Sequence, residues 1–208
     1  TEGWDHIMSL ARRLTLLEDE TLGIEPVPGV ESLRTDHRHV GETTLPANRE
    51  VVMEGIEGNA MELALEIDPK GAREVCVNVL RSPDSAEYTA ISFHRRGHHL
   101  HRRWWLPEEE QRSQYDALVL DTSRSSELPD VLARAPEVAP LELKDGEPLS
   151  LRVFIDKSVV EVFANGRQCV ALRVYPGRRD SVGLSIRAQG SDAALRSLEA
   201  WQMRSIWG

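Results

Sequence analysis

Between residues 149 and 175 the chain alternates apolar and polar positions with a period of two, interrupted twice. Leu151, Val153 and Ile155 alternate with Arg152, Phe154 and Asp156. After Asp156-Lys157-Ser158, Val160, Val162 and Ala164 alternate with Val159, Glu161 and Phe163. Such alternation marks strands with one face toward a core. Asn165-Gly166 then offers a tight hairpin turn, because both residues tolerate positive φ. The pattern predicts a three-strand meander, with the third strand running from Gln168 to Tyr175.

The same reading predicts further strands at 61–67, 74–80, 88–94, 100–106, 117–122, 141–143, 182–188 and 194–203. Turn signals such as Asp68-Pro69-Lys70-Gly71, Ser82-Pro83-Asp84 and Lys144-Asp145-Gly146 separate them. Near the N-terminus, Ile7 to Leu17 and Leu22 to Pro26 read as two extended segments around the polar turn Glu18-Asp19-Glu20. Pro26, Pro28 and Gly29 mark a linker, and Val30 to Arg34 allow one helical turn at most. Many short strands, and no helix-period segment of ten residues, predict an all-β, two-sheet antiparallel β-sandwich. Its domains divide as residues 1–26, a linker at 27–35, and the sandwich at 36–208.

The block Leu149 to Pro176 resembles the signature of the C-terminal β-sandwich of glycoside hydrolase family 32, the invertases, levanases and inulinases. The opening Thr1 to Leu16 resembles that family's exit from its last propeller blade, and Ile24 to Arg34 the linker that follows. Asp180 to Gly190 and Ala200 to Trp207 are similar to its closing strands. The resemblance implies a concanavalin-like jelly-roll sandwich whose partner is a catalytic β-propeller domain, with residues 1–26 as the remnant of the last blade. It implies a parent that hydrolyses terminal β-D-fructofuranosides such as sucrose, levan or inulin with retention and without a cofactor. The module itself would brace the propeller and, in some members, build a homodimer contact.

The family's catalytic segments, Asn-Asp-Pro-Asn, Arg-Asp-Pro and Glu-Cys, do not occur in this sequence. Glu74-Val75-Cys76 is the nearest echo of the last, with a residue intervening. Retaining glycosidases need two carboxyl groups about 5 Å apart. The chain is therefore expected to be non-catalytic, with Asp156, Ser158, Glu161, Asn165 and Gly166 as structural signature residues. Asp156 is expected to cap its turn as an Asx residue. Glu161 is expected to be partly buried and paired with an arginine such as Arg152 or Arg173.

Composition narrows the partners. Thirty-four acidic against 25 basic residues give a net charge of −9, which opposes general binding to nucleic acid or to an anionic membrane. No stretch approaches 18 consecutive apolar residues, and no signal peptide is visible at residue 1. Cys76 and Cys169 sit in alternating apolar strands, where a free thiol acts as a small buried hydrophobe, a disulfide between them being the alternative. His99 and His101 would share a strand face, but spacing specifies no third ligand, so no metal site is predicted. Trp104 and Trp105 would point to opposite faces, and an exposed one could stack on a sugar ring. They are the candidate carbohydrate contacts of the alternative function, an independent fructan- or sucrose-binding sandwich.

Overall fold

The computed structural model describes residues 7–95, 115–132 and 134–206. The described residues form fifteen strands and one 3₁₀ helix. Strands β1 (Arg12–Leu16) and β2 (Leu22–Pro26) make a separate two-stranded antiparallel hairpin. The helix, Pro28–Leu33, follows it. Proline near its start suits a helix, where a missing N–H costs nothing.

The remaining strands are β3 (Arg34–Val40), β4 (Thr43–Leu45), β5 (Glu50–Val52), β6 (Ala60–Asp68), β7 (Glu74–Arg81), β8 (Thr89–His94) and β9 (Ala117–Asp121). They continue with β10 (Glu137–Pro140), β11 (Leu149–Asp156), β12 (Val159–Ala164), β13 (Gln168–Arg173), β14 (Gly183–Gln189) and β15 (Ala193–Met203). Two sheets result. One has six strands in the order β10-β9-β8-β7-β14-β5; the other runs β13-β12-β11-β6-β15-β3, with β4 also paired to β15. The named pairings are antiparallel throughout.

The alternation read from the sequence places the core. Leu151, Val153, Val160, Val162, Leu63 and Leu65 of the seven-stranded sheet pack against Val75, Val77, Ile91, Leu118 and Ile186 of the other. Several are fully buried, so each contributes roughly 1.5–3 kcal/mol of transfer free energy. The two-sheet antiparallel sandwich expected from the pattern is thus the observed architecture, and β11-β12-β13 is the expected meander.

Four differences from the sequence reading have local causes. The strand expected at Leu141–Leu143 is absent and Glu137–Pro140 pairs with β9 instead. Leu141 and Leu143 still turn into the core, but beyond Pro140 the chain leaves the ladder, Leu141 donating its N–H to the Asp116 carbonyl at 2.9 Å. Strands β3, β4 and β5 went unread because two are only three residues long and β3 has an exposed, charged edge without alternation. The third strand of the meander stops at Arg173, where Val174 donates instead to the Ser158 carbonyl. Finally, the loop between β12 and β13 has three residues rather than the two of a simple Asn-Gly hairpin turn, since Ala164 pairs with Gln168. Its turn is as expected: Asn165 and Gly166 have φ of +49° and +62°, and the Arg167 N–H bonds the Ala164 carbonyl at 3.0 Å.

A bulge lies where β7 meets β14. Gly183 pairs with Arg81 and Ser185 with Asn78, so the β7 strand carries the extra residue. Leu80 takes it up with φ +49°, a conformation unfavourable for a non-glycine residue, held because its side chain is buried in the core. A Cβ at Gly183 would meet the Arg81 carbonyl oxygen at 2.9 Å.

Candidate functional site

The polar residues of the seven-stranded sheet point away from the core, and the N-terminal segment packs over part of that outer face. Alternation along β11, β12 and β13 sends Phe154, Glu161, Phe163 and Cys169 outward. Phe154 and Phe163 meet edge to face, with centroids 5.9 Å apart and an interplanar angle of 86°. Val30 from the 3₁₀ helix completes this small second core, with Leu10, Ile24, Leu33, Cys169 and Met203 packed against it.

Glu161 sits among these apolar groups, 1% exposed. Its carboxylate accepts the Leu10 N–H at 2.9 Å and, on the other oxygen, Arg12 Nε and Nη2 at 3.1 and 2.8 Å. The Cys169 thiol approaches the same oxygen at 3.6 Å. The expected arginine partner is therefore corrected: it is neither Arg152 nor Arg173 but Arg12, 149 positions away. Arg152 is drawn instead to Glu62, its neighbour across the sheet.

Glu62 is also fully buried, and it too is held by arginines. Arg34 bonds it at 2.8 and 2.7 Å, and Arg152 at 2.9 and 2.6 Å. Glu31 of the 3₁₀ helix lies 3.5 Å from Arg34 and 3.4 Å from Arg152, so the four charges balance. A buried carboxylate persists only when paired and hydrogen-bonded in this way. Hydrogen bonding to Glu62 holds the Arg34 guanidinium above its ordinary pKa. Arg34 also lies 4.0 Å over the Trp201 ring, with His37 stacked on that ring at 5.1 Å. His37 and His39 both reach Glu199, at 2.5 and 2.7 Å. Burial works to raise the Glu199 pKa, but the two imidazole hydrogen bonds override it and leave the carboxyl below its ordinary range.

The signature residues are brought together only in part. Asp156 is exposed at the end of β11 and caps no turn: among the described residues its carboxylate takes no hydrogen bond. The turn is set instead by Lys157, whose φ is +51° and whose N–H bonds the Asn59 carbonyl at 2.6 Å. Ser158 accepts a hydrogen bond from Arg173 at 3.3 Å. Asn165 does more than turn the chain. Its amide donates to Glu147 and to the Pro148 carbonyl at 3.0 and 2.9 Å, and its carbonyl oxygen accepts the Ser150 N–H at 3.1 Å. The Gly166 carbonyl accepts the Ile24 N–H of the hairpin at 2.7 Å. Sequence reading missed the arm as a binding partner of this block; the alternation of Glu161 onto the outer face was the available signal.

Both cysteines are free thiols. Burial, acting first, pushes each up to about 12. Glu74 and Cys76 share the outer face of β7, where burial raises the Glu74 pKa and the Ser92 hydroxyl donates to it at 3.1 Å. Trp104, Trp105, His99 and His101 lie outside the described residues. Among the described residues no group of three His, Cys, Asp or Glu side chains is placed to hold a metal. A cleft of about 450 Å³ runs between residues 7–10, the 3₁₀ helix and β11, lined by Ile7, Met8, Leu33, Phe154 and Met203 with Asp156 and Glu161 at its polar edge.

Comparison with known proteins agrees with this layout. The family described as Glycosyl hydrolases family 32 C terminal matches residues 29–202. Sucrose-6-phosphate hydrolase from Escherichia coli is 30% identical over 97% of this chain and 36% of its own length. A levanase from Bacillus subtilis (strain 168) is 26% identical over the whole chain and 29% of its own length. The chain thus spans about a third of the curated relatives it matches. Fructan 1-exohydrolase IIa from Cichorium intybus has the same fold, with a TM-score of 0.74 at 19% identity, covering 93% of this chain and 40% of that one. A sandwich of this topology, matched by the family across all but its N-terminal hairpin and its last few residues, makes the chain a member of the family 32 glycosyl hydrolase C-terminal domains.

Proposed function

We propose that this chain is the non-catalytic sandwich of a family 32 enzyme whose parent hydrolyses terminal β-D-fructofuranosides with retention, and that it braces the catalytic β-propeller. The match over residues 29–202, beside relatives named as levanase and sucrose-6-phosphate hydrolase, carries this reading. Residues 1–26 then belong to the end of the last propeller blade, 27–35 to the linker and 36–208 to the sandwich. The hairpin and the segment before it support that division: Ile7, Met8, Leu14, Leu16 and Leu22 expose large apolar side chains, as a surface does when a further layer is to cover it.

A hydrolytic role for Asp156 and Glu161 has little physical support. In the docked arm Glu161 is occupied by Arg12 and the Leu10 N–H. The sugar-binding alternative draws nothing from Trp201, whose ring carries Arg34 and His37. The test is fructose release from sucrose, inulin and levan by the purified chain. No release above a buffer control is expected; release that disappears in Glu161→Gln would overturn the reading.

A further inference from the structure

We propose that Glu161 and the Asn165–Gly166 turn form a latch that seats the N-terminal hairpin on the sandwich in a single register, with Glu161 as the positioning residue. The inference rests on contacts within this chain and stands apart from any activity of a parent enzyme.

The first ground is where the partners of Glu161 come from. Among the described residues the sandwich itself offers its carboxylate only the weak Cys169 thiol at 3.6 Å. Every strong donor, the Leu10 N–H and both Arg12 nitrogens, comes from the arm. A buried carboxylate without partners costs several kcal/mol, so an internal structural glutamate would be expected to find its donors within its own sheet. Glu161 instead presents an acceptor that only the docked arm fills. With the arm away, water reaches the carboxylate, so the contact is reversible.

The second ground is the hairpin's own weakness. A two-stranded sheet is marginal alone in water. All five residues of β1 are exposed, and the arm gives the second core only Leu10 and Ile24. Apolar contact of that size is non-directional and would tolerate a slip along the strand. The polar contacts would not: the Leu10 N–H and Arg12 guanidinium fix one strand on Glu161, while the Ile24 N–H fixes the other on the Gly166 carbonyl. That carbonyl is aimed by the left-handed turn at Asn165 and Gly166, itself tied to Glu147, Pro148 and Ser150 through Asn165. Two anchors on different strands specify register. The most informative block of the sequence is thereby given a common task.

The arm packs over part of Cys169, which is half-buried against the same cluster as Leu10 and Ile24, whereas Cys76 is buried in the six-stranded sheet. Because Cys169 is half-buried, its alkylation by iodoacetamide, followed by mass spectrometry, has a docked-state baseline; the rise above that baseline reads the open population of the arm, and Cys76 reads global unfolding. Arg12→Gln should raise the Cys169 labelling rate about tenfold or more while Cys76 stays protected, given the usual strength of charge-assisted hydrogen bonds. Arg12→Lys should recover part of the slow rate. Arg12→Met should not, because Met keeps an apolar stem for packing but carries no donor. Glu161→Gln should match Arg12→Gln, and hydrogen exchange at the Leu10 and Ile24 amides should quicken with it. Should Glu161→Gln expose Cys76 as well, the Arg12 variants decide, because that side chain is one-third exposed and its loss leaves the sandwich core untouched. Wild-type labelling of Cys169 in Arg12→Gln, or a slow rate retained in Arg12→Met, would overturn the latch.

Discussion

Replacing Glu87 by Gln removes one charge and almost no volume, and it strikes the residue that ties three loops of the sandwich together. Glu87 is fully buried. One carboxylate oxygen accepts the N–H groups of Glu127 and Gly177 at 2.7 and 2.8 Å; the other accepts the Arg178 N–H at 3.1 Å and the Ser181 hydroxyl at 2.6 Å. A glutamine has one acceptor oxygen and an NH₂ that cannot accept. Its cheapest placement puts the NH₂ toward Ser181, whose hydroxyl can rotate to accept, and leaves the part-buried Arg178 N–H without its acceptor. That unmade bond costs about 1–3 kcal/mol, and the other bonds lose their charge assistance, roughly 1 kcal/mol each. The lower desolvation cost of a neutral amide returns part of this. The net expectation is a loss of about 2–4 kcal/mol out of a typical total of about 5–15. Urea unfolding followed by fluorescence would show it as a lowered midpoint with an unchanged slope. The pH dependence supplies a second reading. Burial acts to raise the Glu87 pKa, but the Ser181 and backbone hydrogen bonds override it and lower the value. Stability from this group is therefore complete above the ordinary carboxylate pKa and is lost as pH falls toward the depressed folded value, a limb that the Gln variant should lack. A midpoint equivalent to less than about 1 kcal/mol of destabilisation would refute the hydrogen-bond account.

Three further outcomes are expected. Gly166→Val should destabilise by more than about 1 kcal/mol, because φ is +62° there and β-branched residues tolerate positive φ least; unchanged urea denaturation would count against it. Glu50→Gln should flatten the acid limb of stability, since hydrogen bonding from Arg81, foremost, holds the Glu50 pKa below its ordinary value and its contribution disappears as pH falls through that value; identical acid titrations by circular dichroism would contradict this. Deleting residues 1–26 should leave both sheets folded, because none of the described residues among them belongs to the main core, and should reduce self-association measured by light scattering; an unfolded product would place the arm inside the sandwich's cooperative unit.

Strand positions and their inward faces were legible because both depend on neighbours along the chain. Leu151, Val153, Val160 and Val162 recur at every second position within their strands and line the core in the structure. The Asn165-Gly166 turn was legible for the same reason: its chemistry is that of two adjacent backbones needing positive φ. Short strands such as Thr43–Leu45 carry too few positions to show a period, and the edge strand Arg34–Val40 has no buried face to impose one. Partners were not legible at all. Glu161 and Arg12 are 149 residues apart, and Glu87 and Gly177 90; such pairs meet only once the sheet order places β12 beneath the arm and the β13–β14 connection beside the turn after β7. A period of two says that Glu161 faces outward, but burial of that outward face is created by the hairpin and the 3₁₀ helix folding over it. Sequence by itself determined which residues alternate and where the chain turns; tertiary structure alone decided which buried charges are paired, because burial and pairing are properties of the space between elements.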